Sequence, residues 1–249
     1  MTAIEKLLTI ARAEVGYLEK ASNTNLDNKT ANAGDNNYTK YARDLDKLKV
    51  YNGPKNGYAW CAVFVFWCMV QAFGLETALK MTGQKLGGYG AGCTELVKCY
   101  RSIGRFYKYE PQPGDQIFFT QNNGQSFYHT GLVVKAEGGK VFTIEGNTSS
   151  AAGVVDNGGA VAAKSYSLTY NRIGGYGRPN YSLIQEDDIM TGKEIYDALQ
   201  SYLAQQPVPD WAKAELQEAV ALGITDGSNP MQLIPRYQAA IMTKRAVKR

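Results

Sequence analysis

The run Trp60–Val70 contains no polar residue apart from two thiols, Cys61 and Cys68. Nothing else in the chain limits its fold as strongly. A bilayer-spanning helix needs about 20 apolar residues, so this run is too short to cross a membrane. Being apolar on all sides, it reads as a helix buried in the core of a soluble domain, stopped at Gly74. A polar, glycine-containing loop, Gly57-Tyr58-Ala59, leads into it and puts Cys61 at or near the helix N-terminus. The positive end of a helix dipole lowers a thiol pKa there. Two readings of Cys61 stand at this point: a reactive thiol, and one more small buried apolar residue.

At 249 residues the chain has room for one large or two unequal domains. With 44% hydrophobic and 20% charged residues, it falls in the globular class rather than the disordered or membrane-spanning ones. A net charge of +4 calls for no nucleic acid, although it allows a weak attraction to an anionic surface such as a cell wall. The four cysteines (Cys61, Cys68, Cys93 and Cys99) fit no common zinc spacing. Cys61 and Cys68 would lie roughly 10 Å apart along a helix, too far for a disulfide. They read as free thiols from a reducing compartment. Ile4, Leu7, Leu8, Ala11 and Val15 share one helical face. Glu5 interrupts that stretch, so it does not read as a signal peptide or a membrane insertion.

Along the chain, residues 2–16 read as an amphipathic helix ending at Gly16. Residues 21–37 form an Asn/Asp/Gly-rich loop. Oxygen-rich loops can bind calcium, but no EF-hand spacing is present, and no metal or cofactor is expected. Residues 38–48, 75–81 and 92–102 are further helical candidates. After Pro113 the pattern turns to strands: Asp115–Thr120, His129–Glu137, Lys140–Glu145, Val161–Leu168 and Ile173–Tyr176. Helical periodicity resumes at Lys193–Gln205, Asp210–Leu222 and Arg236–Lys244. The organisation predicted is α+β: a first domain over 1–181, a linker over 182–191, and a small all-α module over 192–249.

The chain's one histidine, His129, opens a predicted hairpin. A cysteine lies upstream of it, and Glu145 and Asn147 lie downstream. This order suits thiol acyl transfer, in which the His takes the thiol proton and later protonates the leaving amine. A third group fixes its tautomer. Register decides whether the groups can meet. A two-residue turn at Gly138-Gly139 alone would put Glu145 and Asn147 on the sheet face opposite His129. A three-residue loop, or an equivalent bulge, sets Asn147 opposite His129 and Glu145 opposite Gly131. The odd loop or such a bulge is therefore predicted.

Ala59-Trp60-Cys61-Ala62-Val63, Pro113-Gly114-Asp115, His129-Thr130-Gly131-Leu132 and Ile144-Glu145-Gly146-Asn147 together resemble the CHAP family. These are peptidoglycan-cleaving cysteine amidases and peptidases related to the NlpC/P60 and papain-like groups. The resemblance covers roughly residues 1–181. It implies a papain-like fold with helices on an antiparallel sheet. Cys61 becomes the nucleophile, His129 the general base, and Glu145 with Asn147 the rest of a tetrad. The backbone N–H of Cys61 is the expected oxyanion donor. Tyr58, Trp60 and Tyr128 flank these segments and are candidates for a substrate groove. Core packing is the other reading of each. Cys68, Cys93 and Cys99 are expected to be structural, and Asp115 to serve turn geometry.

Trp211-Ala212 through Leu216, Ala219, Gly223-Ile224 and Gly227, followed by Pro235-Arg236, resembles one S-layer homology repeat. Such modules attach proteins to Gram-positive wall polymers. Trp211, Leu216, Val220 and Ile241 would form its small core. Trp211 and Arg236 are the expected wall-binding residues, and self-association through this module is the alternative. The whole resembles a phage endolysin: a catalytic cysteine hydrolase held in the host cytoplasm until lysis, then acting at the cell wall. Its partners would be peptidoglycan and a wall polymer. Muramoyl–alanine amidase and endopeptidase activity both fit. A non-catalytic wall-binding protein on a degenerate scaffold, and a tail-associated or bacteriocin-type lysin, are the alternatives.

Overall fold

The computed structural model describes residues 1–184, 192–228, 230–231 and 236–247, without the side chains of 236–238, 242 and 245. The chain divides into two compact units, Met1–Glu186 and Asp187–Arg249. Among the described residues, no helix is long and apolar enough to cross a membrane.

The first unit is α+β. Helix α1 (Ala3–Glu14) starts with a capping box in which Thr2 and Glu5 satisfy each other's backbone N–H groups. Thr39 caps α2 (Lys40–Lys47) in the same way from one side. The apolar run forms α3 (Cys61–Phe73), with every side chain from Cys61 to Val70 buried. Helices α4 (Leu75–Thr82) and α5 (Cys93–Ser102) follow. The strands are β1 (Phe106–Tyr107), β2 (Gln116–Phe119), β3 (His129–Glu137), β4 (Lys140–Thr148), β5 (Ala160–Ser167) and β6 (Ile173–Gly177). They form one antiparallel sheet in the order β1-β6-β2-β3-β4-β5. The short β1, which pairs only with β6 at the sheet edge, has no signature in the sequence pattern.

Helix α3 lies against the middle of this sheet. Its side chains pack with Leu7, Tyr41 and Leu45 on one side and with Leu132, Ile144 and Val161 of the sheet on the other. Close approach is allowed at Gly146, where a Cβ would come within 2.6 Å of Phe64 and 2.8 Å of Trp60. A second cluster gathers Cys61, Cys93, Leu96, Tyr100, Phe118 and Phe127 around the start of α3 and α5. The far sheet face carries Ile117, Phe119, Val133, Tyr166 and Tyr176.

The hairpin between β3 and β4 departs from the three-residue loop and takes the bulged alternative. Glu137 pairs with Lys140 across a two-residue turn, and both Gly138 and Gly139 have positive φ, 56° and 72°. Two successive glycines adopt such a turn without steric cost. The register then shifts between Val133 and Lys135, so that Leu132 pairs with Ile144. This bulge restores the odd register where it matters: a Cβ on Gly131 would lie 2.3 Å from Glu145 Cγ.

The second unit consists of α6 (Gly192–Ala204), α7 (Asp210–Ala221) and α8 (Arg236–Val247). The core expected here does not form among the described residues. Trp211 is 78% exposed, and Val220 and Ile241 are exposed as well. No residue of α6 or α7 is buried. A unit this small has little interior to offer. Arg236 opens α8, but its side chain, like Pro235 and most of the expected 182–191 linker, lies outside the described residues.

Candidate active site

Cys61 occupies the first turn of α3. Trp60 is the N-cap residue and makes no side-chain cap hydrogen bond to the first turn of the helix. Trp60 itself is fully buried. Its indole N–H donates to Glu19 Oε2 at 2.8 Å, and its ring packs on Tyr41 and Tyr17. This corrects its reading as a substrate-groove residue: with its polar edge satisfied inside, Trp60 anchors the turn that delivers Cys61. The distant partner Glu19 gave no local sign of this.

His129 is the first residue of β3, wholly buried, with its ring stacked on Phe119 at 5.8 Å. Its Nε2 lies 2.9 Å from Glu145 Oε2. Glu145 is held in turn by Thr143, whose hydroxyl donates to Oε1 at 2.5 Å, and by Tyr166, whose hydroxyl donates to Oε2 at 3.1 Å. The carboxylate therefore fixes the imidazole through Nε2. Nδ1 is buried and without a hydrogen-bond partner.

Cys61 and His129 perturb each other strongly. The Cys61 thiol is held well below the usual thiol range. The chief cause is a hydrogen bond from Cys93. His129 and the Ala62 N–H add to it, against the opposing effect of burial. Burial alone would lower His129, but the nearby Cys61 and the Glu145 carboxylate outweigh it and push its pKa up to about 10. Both shifts favour a thiolate–imidazolium pair. Cys68, two turns along α3, is the opposite case. Burial first, and then the charge of Glu14, push its thiol well up.

The other expected residues divide. Asn147 is buried but does not hydrogen-bond His129. It sits at the β4 irregularity with φ 54°, and its amide donates to the Asp156 carbonyl at 3.1 Å. Orientation of the imidazole thus rests on Glu145. Tyr58 is 65% exposed, whereas Tyr128 packs against the far sheet face. Asp115 accepts from the Gln112 N–H and, at 2.9 Å to each oxygen, from Arg178, which ties the start of β2 to the end of β6. One contact lies outside the expected set: Cys93 Sγ is 3.7 Å from Cys61 Sγ. Cys93 carried one faint sign, a second cysteine directly after a glycine at a predicted helix start. Among the described residues, no group of three or more His, Cys, Asp or Glu is arranged to hold a metal ion.

Residues 53–147, which include all four of these candidate catalytic positions, match the model of the CHAP domain. CHAP is the domain family of the peptidoglycan-cleaving amidases and peptidases that the sequence motifs resemble. No curated protein matches the chain. Among solved structures, the crystal structure of Ly7917 is similar at a TM-score of 0.42 and 13% identity, over 73% of this chain and 63% of that one. The chain thus spans less than two thirds of the length of that protein.

Proposed function

We propose that the chain hydrolyses an amide bond of peptidoglycan with Cys61 as nucleophile. The observation that carries this reading is the buried Glu145–His129 pair, with Cys61 in electrostatic reach of the imidazole. In the proposed sequence, the Cys61 thiolate attacks the amide carbonyl. The developing oxyanion is met by the uncapped N–H groups at the start of α3. The imidazolium gives a proton to the leaving amine, and a thioester remains on Cys61. His129, now neutral, takes a proton from water, which attacks the thioester. The carboxylic product leaves and the thiolate returns. Glu145 keeps the ring oriented throughout and steadies its charge.

Within this reading, the first unit is the catalytic domain and the second a wall-anchoring module, the arrangement of an endolysin. The exposed indole of Trp211 is available to a wall polymer. Mass spectrometry of fragments released from Gram-positive walls tests both the activity and the bond. New N-terminal alanine would identify an amidase, and new termini inside the stem or cross-bridge an endopeptidase. Cys61→Ala is expected to abolish release. Release at the undiminished rate by Cys61→Ala would overturn the cysteine mechanism. Binding to walls without any release by the intact protein would favour a non-catalytic binding protein.

A further inference from the structure

Cys93 has no part in the catalytic sequence just described, yet it is the closest sulfur contact of the nucleophile. It is the first residue of α5, and its Sγ lies 3.7 Å from Cys61 Sγ, within reach of a sulfur hydrogen bond. Both thiols are buried in one cluster with Phe118 and Phe127. The first turn of α5 is also tied to the segment that delivers His129: the Phe127 N–H donates to Thr94 Oγ1 at 2.9 Å, and that hydroxyl donates back to the Phe127 carbonyl at 3.3 Å. The start of α5 therefore holds a thiol against Cys61 and braces the chain just before the imidazole.

The direction of the hydrogen bond follows from the surroundings. Cys61 is influenced by the His129 imidazole and the Ala62 N–H, and Glu145 bonds the other side of His129. Cys93 has no cation among its influences. Its own thiol is pushed well up, first by the contact with Cys61 and then by burial. Cys61 is thus the anion, and Cys93 keeps its proton.

We propose that Cys93 is a positioning residue, whose S–H donates to the Cys61 thiolate and fixes the anion at the start of α3 for attack. The proposal rests on Cys61 being the nucleophile. A protonated thiol at this distance supplies a directional contact to sulfur. An aliphatic side chain of similar size would supply only packing.

The test is the pH dependence of Cys61 alkylation by iodoacetamide in the full chain under a phosphine reductant, read at the Cys61 peptide by mass spectrometry. In Cys93→Ala the midpoint of reactivity is expected to rise by about one pH unit, the order of effect of one hydrogen bond to a charged group. Wall hydrolysis below that midpoint should fall about tenfold, in step with the thiolate fraction. Cys93→Ser, which keeps a donor, is expected to restore the midpoint. An unchanged midpoint in Cys93→Ala would overturn the proposal, as would an equal rise in both variants, which would mean packing alone. If circular dichroism finds Cys93→Ala misfolded, Cys93→Ser decides: a midpoint at or below wild type supports the proposal, and a rise overturns it. Alkylation needs no substrate. A shift in midpoint without any wall hydrolysis would therefore sink the hydrolase reading while leaving the Cys93 contact in place.

Discussion

At the residue scale, the site turns on which group holds the imidazole. Glu145, not Asn147, bonds His129 Nε2, and Thr143 and Tyr166 fix the carboxylate from behind. Glu145→Gln keeps the shape but gives up the charge that favours the imidazolium. Its kcat is expected to fall by about 10²–10⁴, by analogy with loss of the carboxylate in other triads. Asn147→Ala, whose amide bonds a loop carbonyl, is expected to cost stability more than chemistry, which thermal melts and kcat measured side by side would distinguish. The pH profile follows from the two shifts. Cys61 ionises below the usual thiol range, and His129 keeps its proton up to about 10. In the proposed mechanism the reactive ion pair is the state between these two titrations. So kcat/KM should rise on the acid side as Cys61 loses its proton, stay flat through neutrality, and fall as pH passes about 10 and the imidazolium is lost. A profile falling near pH 7 would contradict the pair. The place of Cys61 at a helix start and the meeting of His129 with Glu145 were legible in the sequence, from a cysteine heading an apolar run, the sole histidine and a carboxylate at computable register. Cys93 was not, because only the packing of α5 brings it to Cys61, and no spacing encodes that approach.

At the element scale, α3 and the β3–β4 hairpin do the positioning. Both were readable: α3 from an uninterrupted apolar run, the hairpin from alternation around two glycines. The bulge was visible only as a requirement of the chemistry, since nothing about Val134 in isolation marks it. Gly131 tests this hairpin. A Cβ there would meet Glu145 Cγ at 2.3 Å, so Gly131→Ala must push the carboxylate aside. Activity is expected to drop more than about tenfold, since small misplacements of an aligned group are costly. The protein should remain folded by circular dichroism. Gly138→Asn, in the turn, is the control. Asn tolerates the positive φ of 56° there. Register and activity should be kept, with stability unchanged or raised by about 0.5 kcal/mol. Equal activity loss in both variants would mean that the hairpin, and not the Glu145 contact, is what the site senses.

At the scale of the whole molecule, the two units differ in how they are held. The first wraps α3 in a continuous core, while the helices of the second leave Trp211, Ile195, Leu199 and Tyr202 exposed. The amphipathic periodicity of the second unit was legible, but among the described residues its expected core of Trp211, Leu216, Val220 and Ile241 does not form, with Trp211, Val220 and Ile241 exposed. Periodicity marks a face and does not say what covers it. Because Trp211 is exposed, Trp211→Ala should leave the melting temperature within a degree or two. It is expected to weaken co-sedimentation with Gram-positive walls while hydrolysis of soluble peptidoglycan fragments stays unchanged. Loss of both activities together would contradict a division of labour between the units. The central claim is that the Cys61 thiolate makes the covalent attack. Its most direct test is fragment release from walls, measured as Cys61 is progressively blocked with iodoacetamide and its modified fraction is read by mass spectrometry. Release is predicted to fall in proportion to that fraction and to vanish when Cys61 is fully modified. Undiminished release from fully modified protein would contradict the claim.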